Sequence, residues 1–503
     1  MGQAPFSAAD RAALRETGIA LEAAERQWQA LQQGRRFTRL VRPATRGDGI
    51  RLLCAAEVER YAARFQAALP GLSAAKFVPA SGAASRMFQC LDPLRLGMAP
   101  DPEASRVLAA LANRELALAD DLDRAMTAGG DDLDRRLAAA GGAVVANWLL
   151  GDKGLDLARR PKALIPFHRT ATGVRTALEE HLSDAERLTG GRVHFTVAPE
   201  WREGFQQHLA RAGGLAAGAS LSIQSPATQT FALDADGGLL RDDRGRLVLR
   251  PGGHGALLAN LASRSERLLF IQNVDNVLPD GLDREAALYW RRVMAGLLLE
   301  TQEKVAFGLQ MLSRGAGEEG DLVSLETWAR ETLGYPCPGG NCPPAERRAR
   351  MDAFLRRPLR VAGMVAAQGE PGGGPFWVAG DGGQETLQIV EGVEIDFADA
   401  GQREIAGAVT HFNPVDLVVS WTNPDGEPYD LSAFRDPGAF LIAEKRQAGR
   451  PVRILEHPGL WNGGMAGWNT ILIELPAEVF HPVKSIVDLL REGHRGPYGE
   501  GVR

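Results

Sequence analysis

Lysine is scarce in this chain of 503 residues. It occurs six times, at positions 76, 153, 162, 304, 445 and 484, and every other basic residue is arginine. Generic positive charge is thus carried by arginine, and a lysine marks a place where a compact, flexible ammonium is wanted. Cysteine is scarcer still: Cys54, Cys90, Cys337 and Cys342. Four thiols cannot scaffold so long a chain with disulfides. Cys337 and Cys342 are spaced C-x4-C with no second pair and no nearby histidine, so they read as a loop thiol pair rather than a zinc site. An excess of positive charge is also missing, with Lys+Arg 57 against Asp+Glu 63. The global footprint of a nucleic-acid binder is therefore absent. No stretch approaches the ~18–20 uninterrupted apolar residues that span a bilayer. The amino terminus has no basic region followed by an apolar run, so a secretory signal is not expected and a cytoplasmic location is.

What is present is ordinary globular usage, 45% hydrophobic and 24% charged. Apolar residues at helical spacing over 7–35 and 55–69 predict an N-terminal helical segment, residues 1–72. The core is expected over 73–490, with helical insertions near 100–150 and 315–356, and a polar tail over 491–503. Strands are predicted at 76–80, 193–197, 221–225, 268–274, 357–365, 386–390, 415–421 and 470–475, and a long helix at 283–313. Strands alternating with helices indicate an α/β fold with a mostly parallel sheet.

Several segments could carry chemistry. After the first strand come Ser81, Gly82, Ala83, Ala84, Ser85 and Arg86, then a helix start. Small residues let backbone N–H groups approach a phosphate, and an arginine adds a multidentate contact. The same residues also suit a tight strand–helix turn with a solvated arginine. Lys162 sits between Pro161 and Pro166 in an apolar stretch; it fits a phosphate ligand or a snorkelling loop lysine. In Pro251-Gly252-Gly253-His254-Gly255, glycines let backbone approach a flat base closely, or simply make a turn. Gln224 upstream offers an amide for a base edge. Asp275 follows an apolar strand at its carboxyl end, where open α/β sheets bind ligands. It suits Mg²⁺ bridging phosphates or a helix cap. Lys484 precedes another helix. The loop from Glu456 to Asn469, with Trp461, Asn462 and Trp468, makes a polyol platform or a packed aromatic loop.

Taken in order, these motifs resemble the UTP-dependent sugar-1-phosphate uridylyltransferases, the group of UDP-glucose and UDP-N-acetylhexosamine pyrophosphorylases. The matching pieces are Ser81–Arg86, Lys162, Gln224, Pro251–Gly255, Asn273–Asn276 and Phe480–Leu490. Gln388-Ile389-Val390-Glu391…Glu394 and His411-Phe412 are similar to that family's sugar-side segments. The departures are a phosphate loop reading S-G-A-A-S-R, with Ala84 for a glycine, and two loops, 370–377 and 461–468, with no counterpart. The full set, with G-E-P-G-G-G-P-F-W, T-H-F-N-P-V-D-L and P-G-L-W-N-G, more closely resembles a bacterial family known as a domain of unknown function, number 4301.

The first resemblance implies a Rossmann-like, glycosyltransferase-A type core. The implied reaction is Mg²⁺-dependent, in-line attack of a sugar-1-phosphate on the α-phosphate of UTP. The partners would be UTP and a phosphorylated small-molecule acceptor. It assigns Arg86 and Lys162 to the triphosphate, Asp275 to the metal and Lys484 to the acceptor phosphate. Gln224, Gly252 and Gly253 would face the base, and His254, Glu391, Asn413 and Asn462 the acceptor. The alternatives are CTP or a non-sugar acceptor, or a nucleotide-sugar binding protein without turnover, for which Ala84 is the motive.

Overall fold

The computed structural model describes residues 5–495 except 140, 172, 314–318, 337–341, 368, 370–371, 381–383 and 448–449. Cys337, part of the 370–377 loop and the tail beyond 495 lie outside the described residues.

The chain divides into two units, each assembled from three separate stretches. The first comprises Met1–Ser73, Gln224–Phe270 and Val293–Leu475; the second comprises Ala74–Ile223, Ile271–Arg292 and Pro476–Arg503.

In the second unit, strands Ala74–Pro79, Val193–Val197 and Ala219–Ile223 pair in parallel. The first two are buried along nearly their whole length, as parallel strands covered on both faces must be. Helix Ala177–Thr189 covers them. Thr176 caps it in a reciprocal capping box with Glu179, and Gly190 ends it in the left-handed region at φ 62°. Its Leu178, Leu182 and Ala185 pack on Val78, Phe195 and Val197. Between strands Ala74–Pro79 and Pro166–Thr170 stand helices Pro102–Ala112, Ala119–Ala128, Leu133–Ala138 and Gly142–Leu150. Asp101 and Asp132 cap two of these through their side chains. Their apolar faces meet Met87, Phe88, Ile486 and Leu490 in one cluster. The loop after Pro79 and the Lys484 segment are thus both braced from below.

In the first unit, Thr45–Arg46, Gly49–Arg51, Asn469–Glu474 and Leu359–Ala366 form a parallel set, and Asp416–Ser420 adds antiparallel to the last. Residues 1–72, expected to be helical, hold the strands Leu40–Pro43, Thr45–Arg46 and Gly49–Arg51 as well as helix Ala55–Ala68; ahead of the strands stand helices Ala8–Thr17 and Leu21–Gln33. They bury Leu14 and Leu31 against Phe231 and Leu455.

The strands foreseen from apolar runs are all found within a few residues. Antiparallel pairing is more extensive than foreseen. Leu40–Pro43, Gly374–Ala379 and Glu385–Val390 make one such sheet. Leu249–Arg250, Thr230–Leu233, Arg450–Glu456 and Leu441–Gln447 make another. Pro166–Thr170 and Gly173–Thr176 form a hairpin. The fold is therefore mixed α/β rather than uniformly parallel. Among the described residues, no helix is long and apolar enough to cross a membrane.

Candidate active site

The structure sorts the expected site residues into two sets, one in each unit. In the second unit the set centres on Asp275. Strand Leu268–Gln272 delivers it to a turn in which Asn276 N donates to Asn273 O at 3.2 Å. The nitrogens Nζ of Lys162 and Lys484 both donate to Asp275 Oδ2, at 2.9 and 3.1 Å. The segments carrying these groups are tied together by main chain: Val483 N donates to Asp275 O at 3.0 Å, and Lys162 Nζ also donates to Val483 O at 2.9 Å. Two of the six lysines therefore converge on one carboxylate oxygen. Burial alone would raise the Asp275 carboxyl; the ammoniums of Lys484 and Lys162 outweigh it and hold the group below its ordinary value.

The other oxygen, Asp275 Oδ1, is buried with no hydrogen-bond partner. It has company. Both side-chain polar atoms of Gln272 and both of Asn276, on the same strand end, are buried and unpartnered, and so is His181 Nδ1. Orphaned buried polar atoms are uncommon, and a cluster of them needs a cause, such as a missing ion or ligand. His181 was not foreseen. Its Nε2 meets Val274 O at 3.2 Å, next to Asp275. Burial, with Lys76 nearby, pushes its pKa well below the usual value, so the ring is neutral and donates from Nε2 to the carbonyl.

The Ser81–Arg86 loop lies beside Lys162. Lys162 N donates to Gly82 O, and Ala84 N to Arg160 O, both at 3.0 Å. The loop leaves Ala83 extended and enters a 3-10 helix, Ala84–Leu91. Ala84 is buried, Ser81 is half-buried, and Gly82, Ala83, Ser85 and Arg86 are exposed. A side chain at Gly82 would meet nothing within 4 Å, so the loop's outer edge is open. Lys484 stands just before a 3-10 helix, Ile486–Leu490, where Asp488 accepts from the Lys484 and Ser485 N–H groups at 2.8 and 2.7 Å.

In the first unit, His254 stacks on Trp461 with ring centres 4.3 Å apart. Leu460 N donates to His254 Nδ1 at 3.2 Å, which leaves the ring proton on Nε2, 3.8 Å from Glu391 Oε1. Trp461 Nε1 donates to that same Glu391 oxygen at 3.2 Å. Trp461 and Trp468 are both buried, so the aromatic loop is a packed one. Arg360, absent from the sequence reading, supports it from the strand below. It is fully buried, with Nη1 donating to Trp461 O at 2.6 Å and Nε to Thr470 Oγ1 at 2.8 Å. Burial pushes its pKa down to about 9. Asn462 Nδ2 donates to Glu394 Oε2 at 2.8 Å, while Asn462 Oδ1 is buried without a partner. Both residues line a cavity of about 270 Å³. Burial raises the Glu394 carboxyl to about 7 despite the Asn462 and Glu391 N–H donors.

Three expected residues have another use in the structure. A Cβ on Gly252 would stand 2.4 Å from Thr228 O and 2.6 Å from the His457 ring; one on Gly253, at φ 72°, would strike Glu456. Close packing on the 456–458 loop therefore accounts for both glycines without a base. Asn413 has both polar ends committed to main chain, Nδ2 to Gly363 O at 2.8 Å and Oδ1 from Val415 N at 3.1 Å. It fixes the turn in which Val415 takes φ 56°. Gln224 follows strand Ala219–Ile223 half-buried.

Among the described residues, no group of three or more His, Cys, Asp or Glu is disposed to hold a metal ion. A metal held here would need substrate oxygens beside Asp275 Oδ1. The sequence model of a family described as "Domain of unknown function (DUF4301)" matches residues 7–495. No curated protein matches the chain. Among solved structures, the uridine diphosphate N-acetylglucosamine pyrophosphorylase of Trypanosoma brucei is 13% identical, with TM-score 0.48, over 96% of this chain and 79% of that one. A mutant UDP-glucose pyrophosphorylase of Leishmania major, in complex with UDP-glucose, is 14% identical, with TM-score 0.45, over 96% and 79%.

Proposed function

We propose that this chain, which belongs to the DUF4301 family, is a nucleotidyltransferase that joins UTP and a sugar-1-phosphate to give a UDP-sugar and pyrophosphate. The observation that carries the reading is the strand end at 272–276. Two ammoniums bracket one carboxylate there, and five buried polar atoms of Gln272, Asp275 and Asn276 have no partner. That is a cation-rich, unsaturated group of polar atoms, and a polyphosphate on the two ammoniums is the reading it supports. The order of motifs, similar to that of the sugar-1-phosphate uridylyltransferases, supplies the reaction and the Rossmann-like, glycosyltransferase-A type core.

In this reading Arg86 and Lys162 bind the triphosphate. Lys484 binds the acceptor phosphate and offsets the repulsion between two anions. An oxygen of the acceptor phosphate bonds to the α-phosphorus as the bond from that phosphorus to the bridging β-oxygen breaks. Pyrophosphate leaves toward Arg86 and Lys162. Such chemistry depends on position and charge neutralisation, so no covalent nucleophile is required. Mg²⁺ fits Asp275, because Oδ1 is a hard oxygen without a partner, and one carboxylate with phosphate oxygens is a usual set for this ion. When bound, it neutralises charge on the phosphates. His181 holds the Val274 carbonyl and with it the direction of Asp275.

The test is pyrophosphate release with Mg²⁺, UTP or CTP, and a panel of sugar-1-phosphates. Acceptor-dependent release is expected, with Asp275→Asn lowering it by about two orders of magnitude or more. Silence across the panel, with UTP still raising the melting temperature, would leave a nucleotide-binding protein. Silence with no thermal shift from any nucleotide would overturn the reading.

A further inference from the structure

A second cavity, of about 390 Å³, opens in the first unit where strands Leu359–Ala366 and Asn469–Glu474 begin and Asp416–Ser420 ends. It shares no lining residue with the Glu394 cavity, and no residue assigned a role above lines it. Its volume is within the range of small-molecule sites.

Two guanidiniums line it, those of Arg357 and Arg267. Arg357 is half-buried, lies 5.0 Å from the Phe354 ring centre, and is pushed below its ordinary pKa by burial. Neither arginine has an ion-pair partner among the described residues. The one acid on the wall, Glu303, is already paired with Arg64. The wall therefore carries positive charge that no acid among the described residues pairs with. It also carries two buried acceptors, Thr422 Oγ1 and Asn469 Oδ1, with no hydrogen-bond partner. Leu72, Leu299, Val305 and Leu355 supply apolar surface. Half-buried charge without a counter-charge is costly, and a guanidinium is shaped to take a phosphate or carboxylate in a bidentate grip.

We propose that this cavity binds a small organic anion. A phosphate or carboxylate headgroup rests on Arg357 and Arg267, an apolar body on the aliphatic wall, and a hydroxyl or amine donates to Thr422 or Asn469. The site is separate from the one assigned to nucleotidyl transfer and stands whether or not that assignment holds.

Calorimetric titration with phenyl phosphate and with phenylacetate tests it, on the whole chain and on Arg357→Gln, Arg267→Gln and Lys162→Ala. At least one probe should bind, about tenfold or more weaker in Arg357→Gln and unchanged in Lys162→Ala. Binding of phenyl phosphate alone identifies a phosphate headgroup, and binding of phenylacetate a carboxylate. Arg267 is exposed, so Arg267→Gln keeps the test decisive if Arg357→Gln fails to give a cooperative melt. Absence of binding by both probes, or loss of binding in Lys162→Ala, overturns the proposal.

Discussion

Two buried aspartates, each paired with lysine, lie in the same unit and differ in what surrounds them. Lys76 Nζ donates to Asp184 Oδ2 at 2.9 Å, with Lys76 fully buried. Arg284 Nε takes Asp184 Oδ1 at 2.9 Å, and Arg284 also reaches Glu180. Both oxygens of Asp184 are engaged. The chain continues through Glu180 to His168 at 3.0 Å and on to His494 at 2.9 Å. This network is closed. Around Asp275, by contrast, two ammoniums crowd one oxygen while the other has no partner, and Gln272 and Asn276 beside it are equally unsatisfied. A closed network describes structure. The open one, at the carboxyl end of a strand, is the observation on which the proposed phosphate site rests.

The sharpest way to break that contrast is to open the closed network. Asp184→Asn leaves Lys76 and Arg284 buried without their shared charge. Burial pushes Lys76 down to about 8 even with Asp184 present, and Lys76, Arg284 and Arg291 hold Asp184 far below the carboxylate range against its own burial. Removing one partner of such a pair costs about 3–5 kcal/mol. Urea unfolding should show the midpoint falling accordingly. A loss below about 1 kcal/mol would mean that the network holds little together.

Lysine's rarity is what made the open network legible. Lys162 and Lys484 stood out against an arginine background, and the structure brings both to Asp275. Rarity was not sufficient, since Lys76 was equally rare and lies in the closed network. Val193–Val197 and Leu268–Gln272 were legible because a run of β-branched, aromatic and aliphatic residues admits few alternatives. Leu441–Gln447 and Arg450–Glu456 were not, because charged residues interrupt their apolar positions and pairing across the sheet decides them. Arg360 could not be picked out among so many arginines; only burial under Trp461 distinguishes it. Asn413 was placed on the acceptor side only by resemblance, and its amide serves a turn with positive φ.

A second test contrasts acid and base burial. Burial raises Glu394 from 4.5 to about 7, with Glu391 and Asp436 adding to it. Between those values the folded chain keeps a proton that the unfolded chain has released, so stability falls as pH rises through the window. The effect is on the order of 3 kcal/mol by pH 8. His494 has the opposite sign. Burial, then His168 and His481, hold it well below 6.5. Below 6.5 the unfolded chain binds a proton that the folded chain refuses, so stability falls as pH drops. Melting temperatures from pH 5 to 8 should show Glu394→Gln losing the decline on the rising side and keeping the acid-side decline. A variant that tracks the parent at every pH would place the Glu394 carboxyl near its ordinary value.

The smallest stability effect should come from the open network itself, and that smallness is diagnostic. Lys484 is about half exposed, with side-chain exposure of 48%, and Asp275 has Lys162 as a second partner. Lys484→Ala therefore removes an ammonium that solvent already screens, and unfolding should shift by under about 1 kcal/mol. Turnover should still fall about tenfold or more, because one anion approaching another loses a compensating charge at the point of contact, where the bound phosphates displace the water that screens it in the free chain. Measured together, the two readouts separate structure from function at one residue. Equal loss of stability and turnover would place Lys484 in the same class as Lys76, and turnover at the parent's rate would remove it from the acceptor phosphate.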